Sequence, residues 1–437
     1  MTLLRLQMSS LGRCTLLINT IDGVKKRDKV FEKTANILLM LYAVSIYIWS
    51  DDENMVIYST LLCLASMVFM LLVVVPRRHI VISRPMAYLL LFDAYCIASI
   101  LWAREPWRAQ TMALRTLPLL TIFAIILYNY IDEIDDKDLL VRAIYVAGIG
   151  LAIYTIYMQG GLGGYLQLLN AGVRVGDNVN NVNTVGMGTG ISVIIAFYYV
   201  IFRKKLYHLA LLALCGFVAL GTGSNKALVV MALGCLLVLL FYAYITDNIF
   251  TLLKTAAVFV IVGAVFVTLL QLPMFETIND RFNGMINAYL GVGEINGSAK
   301  IRDYLVQVGM QQFVQTPLFG IGINNGATVA LQAVGYDYYL HNNYVELLVD
   351  CGIVGTFFFY GAIASSLLKV IRGLKEGGPV FALVAIILLA WLIIQYGYVC
   401  YYSKPSYLYI ALAAAVAFPS AADCKKNDCL TSKGGNS

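Results

Sequence analysis

The sequence holds three histidines, His79, His208 and His341. His341 opens the string His341-Asn342-Asn343-Tyr344-Val345-Glu346-Leu347-Leu348-Val349-Asp350-Cys351-Gly352. The apolar positions Val345, Leu348 and Val349 suit a helix, and Asn342 stands where a side chain can cap it. The imidazole would then sit at the mouth of that helix, and with an ordinary pKa of about 6.5 it can accept a proton at neutral pH. The other reading is an interfacial histidine satisfied by one hydrogen bond.

Three cations accompany it. Arg174 lies in Arg174-Val175-Gly176-Asp177, Lys226 follows Gly221-Thr222-Gly223-Ser224-Asn225, where Gly221-Thr222-Gly223 interrupts an apolar run and implies a break within the membrane, and Arg302 begins the helical part of a long connection. Basic groups gathered near a membrane surface suit a phosphate or diphosphate, arginine offering two parallel donors. Snorkelling, or pairing with Asp177 and Asp303, is the alternative. Asp93 and Arg115 lie within apolar segments, where an ionisable side chain marks either a functional site or a buried structural pair. The nine cysteines show no metal-ligand spacing, and no metal or other cofactor is expected.

The elements that position these residues must cross a membrane. Of the 437 residues 60% are hydrophobic and 13% charged, with a mean hydropathy of +0.77. That apolar share is too large to bury in a soluble particle, and it excludes disordered, disulfide-stapled and nucleic-acid-binding classes. About twelve segments reach the length a span needs: 34–50, 55–75, 86–102, 110–131, 139–159, 183–202, 209–221, 227–245, 255–272, 352–371, 380–401 and 406–421. Lys25, Lys26 and Arg27, then Arg77, Arg203 and Arg372 fall on one side, which by the positive-inside rule is cytoplasmic. Both termini are then cytoplasmic, no cleavable signal precedes the first span, and His341 faces outward. The expected layout is nine N-terminal spans in 1–272 with an external loop at 160–182, a large external loop at 273–350, three spans in 351–421, and a cytoplasmic tail at 422–437. Connections this long are usually functional, and the helical spacing of 301–314 implies a folded loop.

Several pieces, in order, resemble the O-antigen ligase and Wzy-type polymerase family of bacterial membrane glycosyltransferases. His341-Asn342-Asn343-Tyr344, followed by Glu346, Gly352 and Gly355, resembles the family's signature at the start of a late span. Thr316-Pro317-Leu318-Phe319-Gly320-Ile321-Gly322 resembles the run before that histidine, and Arg302 stands where the family has an arginine upstream. Asn181-Val182-Asn183-Thr184-Val185-Gly186 is similar to "NPN-x-x-G", with Val182 in place of proline. Gly223-Ser224-Asn225-Lys226-Ala227-Leu228 is similar to "GSRKAL", with Asn225 at the usual arginine.

The resemblance implies an all-α, GT-C-like integral protein of a bacterial cytoplasmic membrane. Its partners would be an undecaprenyl-diphosphate-linked oligosaccharide as donor, an acceptor glycan, membrane lipids and a chain-length regulator, with no nucleic acid. The reaction would be inverting and metal-independent. His341 would be the base, Arg302, Arg174 and Lys226 the diphosphate ligands, and Asn342, Tyr344, Glu346 and Asn183 supporting residues. Tyr336, Tyr338, Tyr339 and Trp107 are candidates to stack on sugars or to form an interfacial belt. Polymerisation of repeat units is the favoured reading; ligation to a lipid A core and a polytopic transporter or flippase are the alternatives. No similarity between halves supports transport.

Overall fold

The structure, a computed structural model, describes residues 29–49, 54–77, 79–247, 249–289 and 297–419. The expected tail at 422–437 and the basic group Lys25-Lys26-Arg27 lie outside the described residues. The described chain is all-α, without a strand. Sixteen helices follow in order: α1 (Lys29–Ile48), α2 (Val56–Val74), α3 (Arg84–Trp102), α4 (Pro106–Ile134), α5 (Lys137–Met158), α6 (Gly161–Asn170), α7 (Val182–Arg203) and α8 (His208–Gly221), then α9 (Asn225–Thr246), α10 (Ile249–Leu270), α11 (Glu276–Tyr289), α12 (Gly297–Gln315), α13 (Gly326–Val334), α14 (Asn343–Arg372), α15 (Leu374–Gln395) and α16 (Lys404–Ala417).

Nine of these are long and apolar enough to cross a membrane, against the twelve segments expected. The other three expected segments are also helical. α8 and α16 have 14 residues each, short of a full crossing, and α10 has an apolar stretch over Ala256–Val265. The first long loop is partly helical, since α6 follows a left-handed glycine at Gly160. Helix α7 is the most deeply buried of the nine and packs on α5, α8 and α9, while α14 packs on α3 and α15. Helices α4 and α5 follow α7 in depth of burial, and α9 packs on α15 as well as on α7.

Two breaks in the helices shape the site. The first is the expected one at Gly221-Thr222-Gly223. Helix α8 stops there, Gly223 takes φ +57°, and Ser224 caps α9 by accepting from the Ala227 amide. Thr222 and Ser224 are buried, so this irregular backbone is enclosed by protein, as membrane depth requires. The second lies inside α14, which begins at Asn343, just after the expected cap, and runs through Gly352 at φ 59°, ψ −167°. The Thr316–Gly322 turn is inserted there. Ile321 and Gly322 amides donate to the Val349 and Asp350 carbonyls, and the Ile353 amide donates to the Pro317 carbonyl at 2.9 Å. A Cβ on Gly352 would lie 2.3 Å from the Leu318 carbonyl oxygen, and one on Gly320 would lie 2.5 Å from the Asp350 backbone. Only glycine allows two main chains to approach so closely.

Asp93 and Arg115 form no structural pair. Asp93 is buried beside Thr121 and Tyr407, whereas Arg115 points outward from a wide turn in α4 and is exposed.

Candidate functional site

The site forms where the loop before α14 meets the α8–α9 break. Asn342 caps α14 as the spacing predicts, its Oδ1 accepting from the Tyr344 and Val345 amides at 3.0 and 3.2 Å. Just before it, His341 has a left-handed backbone, φ 58°. That conformation is disfavoured for a residue with a Cβ and persists only where its surroundings hold it. Here the Leu340 amide donates to the buried Glu346 carboxylate at 2.6 Å on one side, and the Asn342 cap holds the other. Glu346 and Asn342 are thus residues that place the imidazole. Tyr344 anchors the helix: its hydroxyl donates to the Leu392 carbonyl at 2.8 Å and its ring stacks on Tyr360.

The imidazole is half-buried against Tyr339, 4.4 Å between ring centres, and makes no hydrogen bond among the described residues. Burial, then the positive charges of Arg302 and Lys226, push its pKa down to about 4. It is therefore neutral at pH 7, with a free lone pair.

Two of the three expected cations, Arg302 and Lys226, act on it, and Arg174 and a fourth cation, Arg281, join the group through Arg302. Arg302 acts electrostatically on His341, Lys226, Arg174 and Arg281. Arg174 is held against the α8–α9 break, its Nε donating to the Thr222 carbonyl at 2.8 Å. Its Nη2 reaches Asn183 Oδ1 at 3.5 Å, which also accepts from Ser224 Oγ at 2.9 Å. Burial and the neighbouring Arg281 and Arg302 lower the Arg174 pKa to about 10, so it stays charged. Lys226 donates to the Gly397 carbonyl beyond α15. Among the described residues no carboxylate forms an ion pair with any of the four; Asp177 exerts only a field on Arg174, and Arg302 is not paired with Asp303. Like charges gathered without acids disfavour the empty site and favour a bound polyanion.

Arg281, on α11, was not singled out from the sequence, where it reads as one charge on a polar helix. Its Nε is buried without a partner, and its backbone carbonyl accepts from Asn225 Nδ2 at 3.3 Å. The residue at the usual arginine position thus touches a segment that carries another arginine into the cluster. Asp350 and Asn343 were also left without a role. Asp350 accepts from the Asn324, Asn325 and Gly326 amides at 2.9, 2.9 and 2.6 Å and from the Tyr401 hydroxyl at 3.1 Å. Asn343 donates to Tyr360 and Gln395 and accepts from the Cys400 and Tyr401 amides. An acid and an amide inside an apolar run were the available signal. A small, mostly apolar cleft is lined by Tyr47, Leu151, Thr184, Met187, Trp391 and Tyr398, of which Thr184 and Tyr398 are chain neighbours of Asn183 and Gly397, the residues that contact Arg174 and Lys226.

Nine long apolar helices around a cluster of cations that has no ion-pair partner among the described residues make this a polytopic membrane protein with a basic site next to a neutral histidine. Comparison with known families agrees: residues 208–360 match the family model described as O-antigen ligase. The match runs from the first residue of α8 into α14 and includes Lys226, Arg281, Arg302 and His341, with Arg174 and Asn183 upstream. This segment is thus similar to the O-antigen ligase family, as the resemblance implied. No curated protein matches the chain.

Proposed function

We propose that the protein is a glycosyltransferase that moves an oligosaccharide from a polyprenyl diphosphate donor to a sugar hydroxyl at the extracytoplasmic face of a bacterial cytoplasmic membrane. The observation that carries this reading is the set of four cations, Arg174, Lys226, Arg281 and Arg302, linked through Arg302 to His341 and without a carboxylate ion pair among the described residues. A diphosphate supplies the missing negative charge, and the apolar cleft suits the start of a prenyl chain.

In this mechanism the acceptor hydroxyl gives its proton to the His341 imidazole as its oxygen bonds to the anomeric carbon. The bond from that carbon to the diphosphate oxygen breaks, and its electron pair leaves with the diphosphate. The arginines and lysine hold the departing charge, the preorganised stabilisation that commonly contributes most to such steps. Attack opposite the leaving group inverts the anomeric centre. The cations supply the charge stabilisation a metal would otherwise give, so the transfer is expected to be metal-independent.

Polymerisation of lipid-linked repeat units is the favoured form, on the resemblance of the Ser224–Ala227 segment to polymerases. Ligation to a lipid A core is the second reading, favoured by the description of the matching family. Purified protein given a defined lipid-linked repeat unit distinguishes them. A ladder of products supports polymerisation, and a single shift that requires lipid A core supports ligation. Substrate crossing the bilayer without any transfer would sink the transferase reading.

A further inference from the structure

The exposed aromatic turn before His341 stands apart from the cation cluster. Tyr336 and Tyr338 are 68% and 48% exposed, with ring centres 6.1 Å apart, and Tyr338 lies 6.0 Å from the His341 ring. Between them, Asp337 is gripped by Arg108 from the start of α4, through two bonds of 3.2 and 2.8 Å. Arg108 also holds Glu105 at 2.6 Å and stacks over Trp107, 4.7 Å to the ring centre. A half-exposed pair of rings is thus fixed by a forked ion pair reaching across from another helix.

Resting on the transferase reading above, we propose that the turn Tyr336-Asp337-Tyr338, pinned through Asp337 to Arg108, is the subsite that seats a pyranose ring of the acceptor glycan beside His341. Three observations carry it. The rings lead directly to the base, where the reacting hydroxyl must arrive. The charges at the pin, Arg104 and Arg108 against Glu105 and Asp337, sum to zero, so this side offers no excess positive charge to a diphosphate and leaves the donor to the cations. Tyrosine rings offer a flat face to sugar C–H groups at low entropic cost, and the Asp337 carboxylate, 54% exposed, can accept a sugar hydroxyl. The forked pair presets the platform, which lowers the cost of binding.

The test measures transfer by the full-length protein in nanodiscs, with acceptor varied at saturating donor and donor varied at saturating acceptor. The acceptor is whichever of the repeat unit and the lipid A core the unaltered protein uses. Tyr336→Ala with Tyr338→Ala is expected to raise the acceptor KM about tenfold and leave the donor KM within about twofold. Tyr336→Phe with Tyr338→Phe keeps the rings and should stay near the unaltered value. Asp337→Arg alone should raise the acceptor KM, and adding Arg108→Asp should recover the part that comes from the pin, leaving the part due to the lost carboxylate acceptor. An unchanged acceptor KM in the alanine pair overturns the assignment. So does a loss that depends on the nanodisc lipid and falls equally on both substrates, which would make the turn a membrane anchor. Absence of transfer by the unaltered protein is a different failure, because it removes the transferase reading itself.

Discussion

His341 combines a left-handed backbone with a half-buried ring that makes no hydrogen bond among the described residues, and burial, then two nearby cations, hold it neutral. With a pKa of about 4 in the free protein it is a weak base, and a good general base needs a pKa closer to the working pH. A bound diphosphate places negative charge beside it, which favours the imidazolium and raises that pKa. Substrate binding therefore strengthens the base. The sign of the effect is testable, since kcat/KM reports the free enzyme and kcat the complex. The acid limb of kcat/KM is expected near pH 4, and that of kcat at a higher pH. Coincident limbs would remove the coupling. His341→Ala should lower kcat by about 10²- to 10⁴-fold, the usual contribution of a general base, while the protein still accumulates in the membrane.

At the scale of elements, the discontinuity in α14 does the positioning. The Thr316–Gly322 turn enters at Gly352 and bonds main chain to main chain, and Asp350 collects three amides of the segment beyond that turn. Tyr95 ties the two together by donating to the Phe319 and Cys351 carbonyls at 2.9 and 2.8 Å. Glu346, one turn before Asp350, then holds the loop that carries His341. Gly352→Ala would place a methyl group against the Leu318 carbonyl and force a backbone region that is nearly exclusive to glycine. Strain and overpacking together predict a loss of about 3 kcal/mol or more. The thermal midpoint in detergent should fall, and transfer should be lost with it. A variant with an unchanged midpoint would show that the turn can withdraw without harm.

The whole molecule brings together charges that are far apart in the chain. Arg174 comes from the loop after α6, Lys226 from α9, Arg281 from α11 and Arg302 from α12, the last two within the long connection between α10 and α14. A bound diphosphate would bridge bundle and connection. The arrangement requires the connection to lie on the extracytoplasmic side. The native cysteines among the described residues are buried or half-buried, so with Cys14, Cys424 and Cys429 replaced by serine an introduced exposed thiol can be labelled selectively. Tyr336→Cys should react with a membrane-impermeant maleimide from outside intact spheroplasts, and Lys205→Cys should react only after permeabilisation. The reverse pattern would place the site in the cytosol and end the proposed mechanism.

Sequence alone determined the features that local pattern dictates. Apolar runs of membrane length demanded a helical bundle, since backbone groups in lipid must bond within their own segment. The spacing after His341 set the cap at Asn342 and the helix start, and the Gly221-Thr222-Gly223 run marked a break. Only the tertiary structure decided the rest. Whether Arg302 was free or paired with Asp303 depended on the packing of distant helices, as did the separation of Asp93 from Arg115. The entry of Arg281 into the cluster, the anchoring of three amides on Asp350 and the grip of Arg108 on Asp337 span separations that no local period encodes. Charge acts through space, and where it acts is settled when the helices pack.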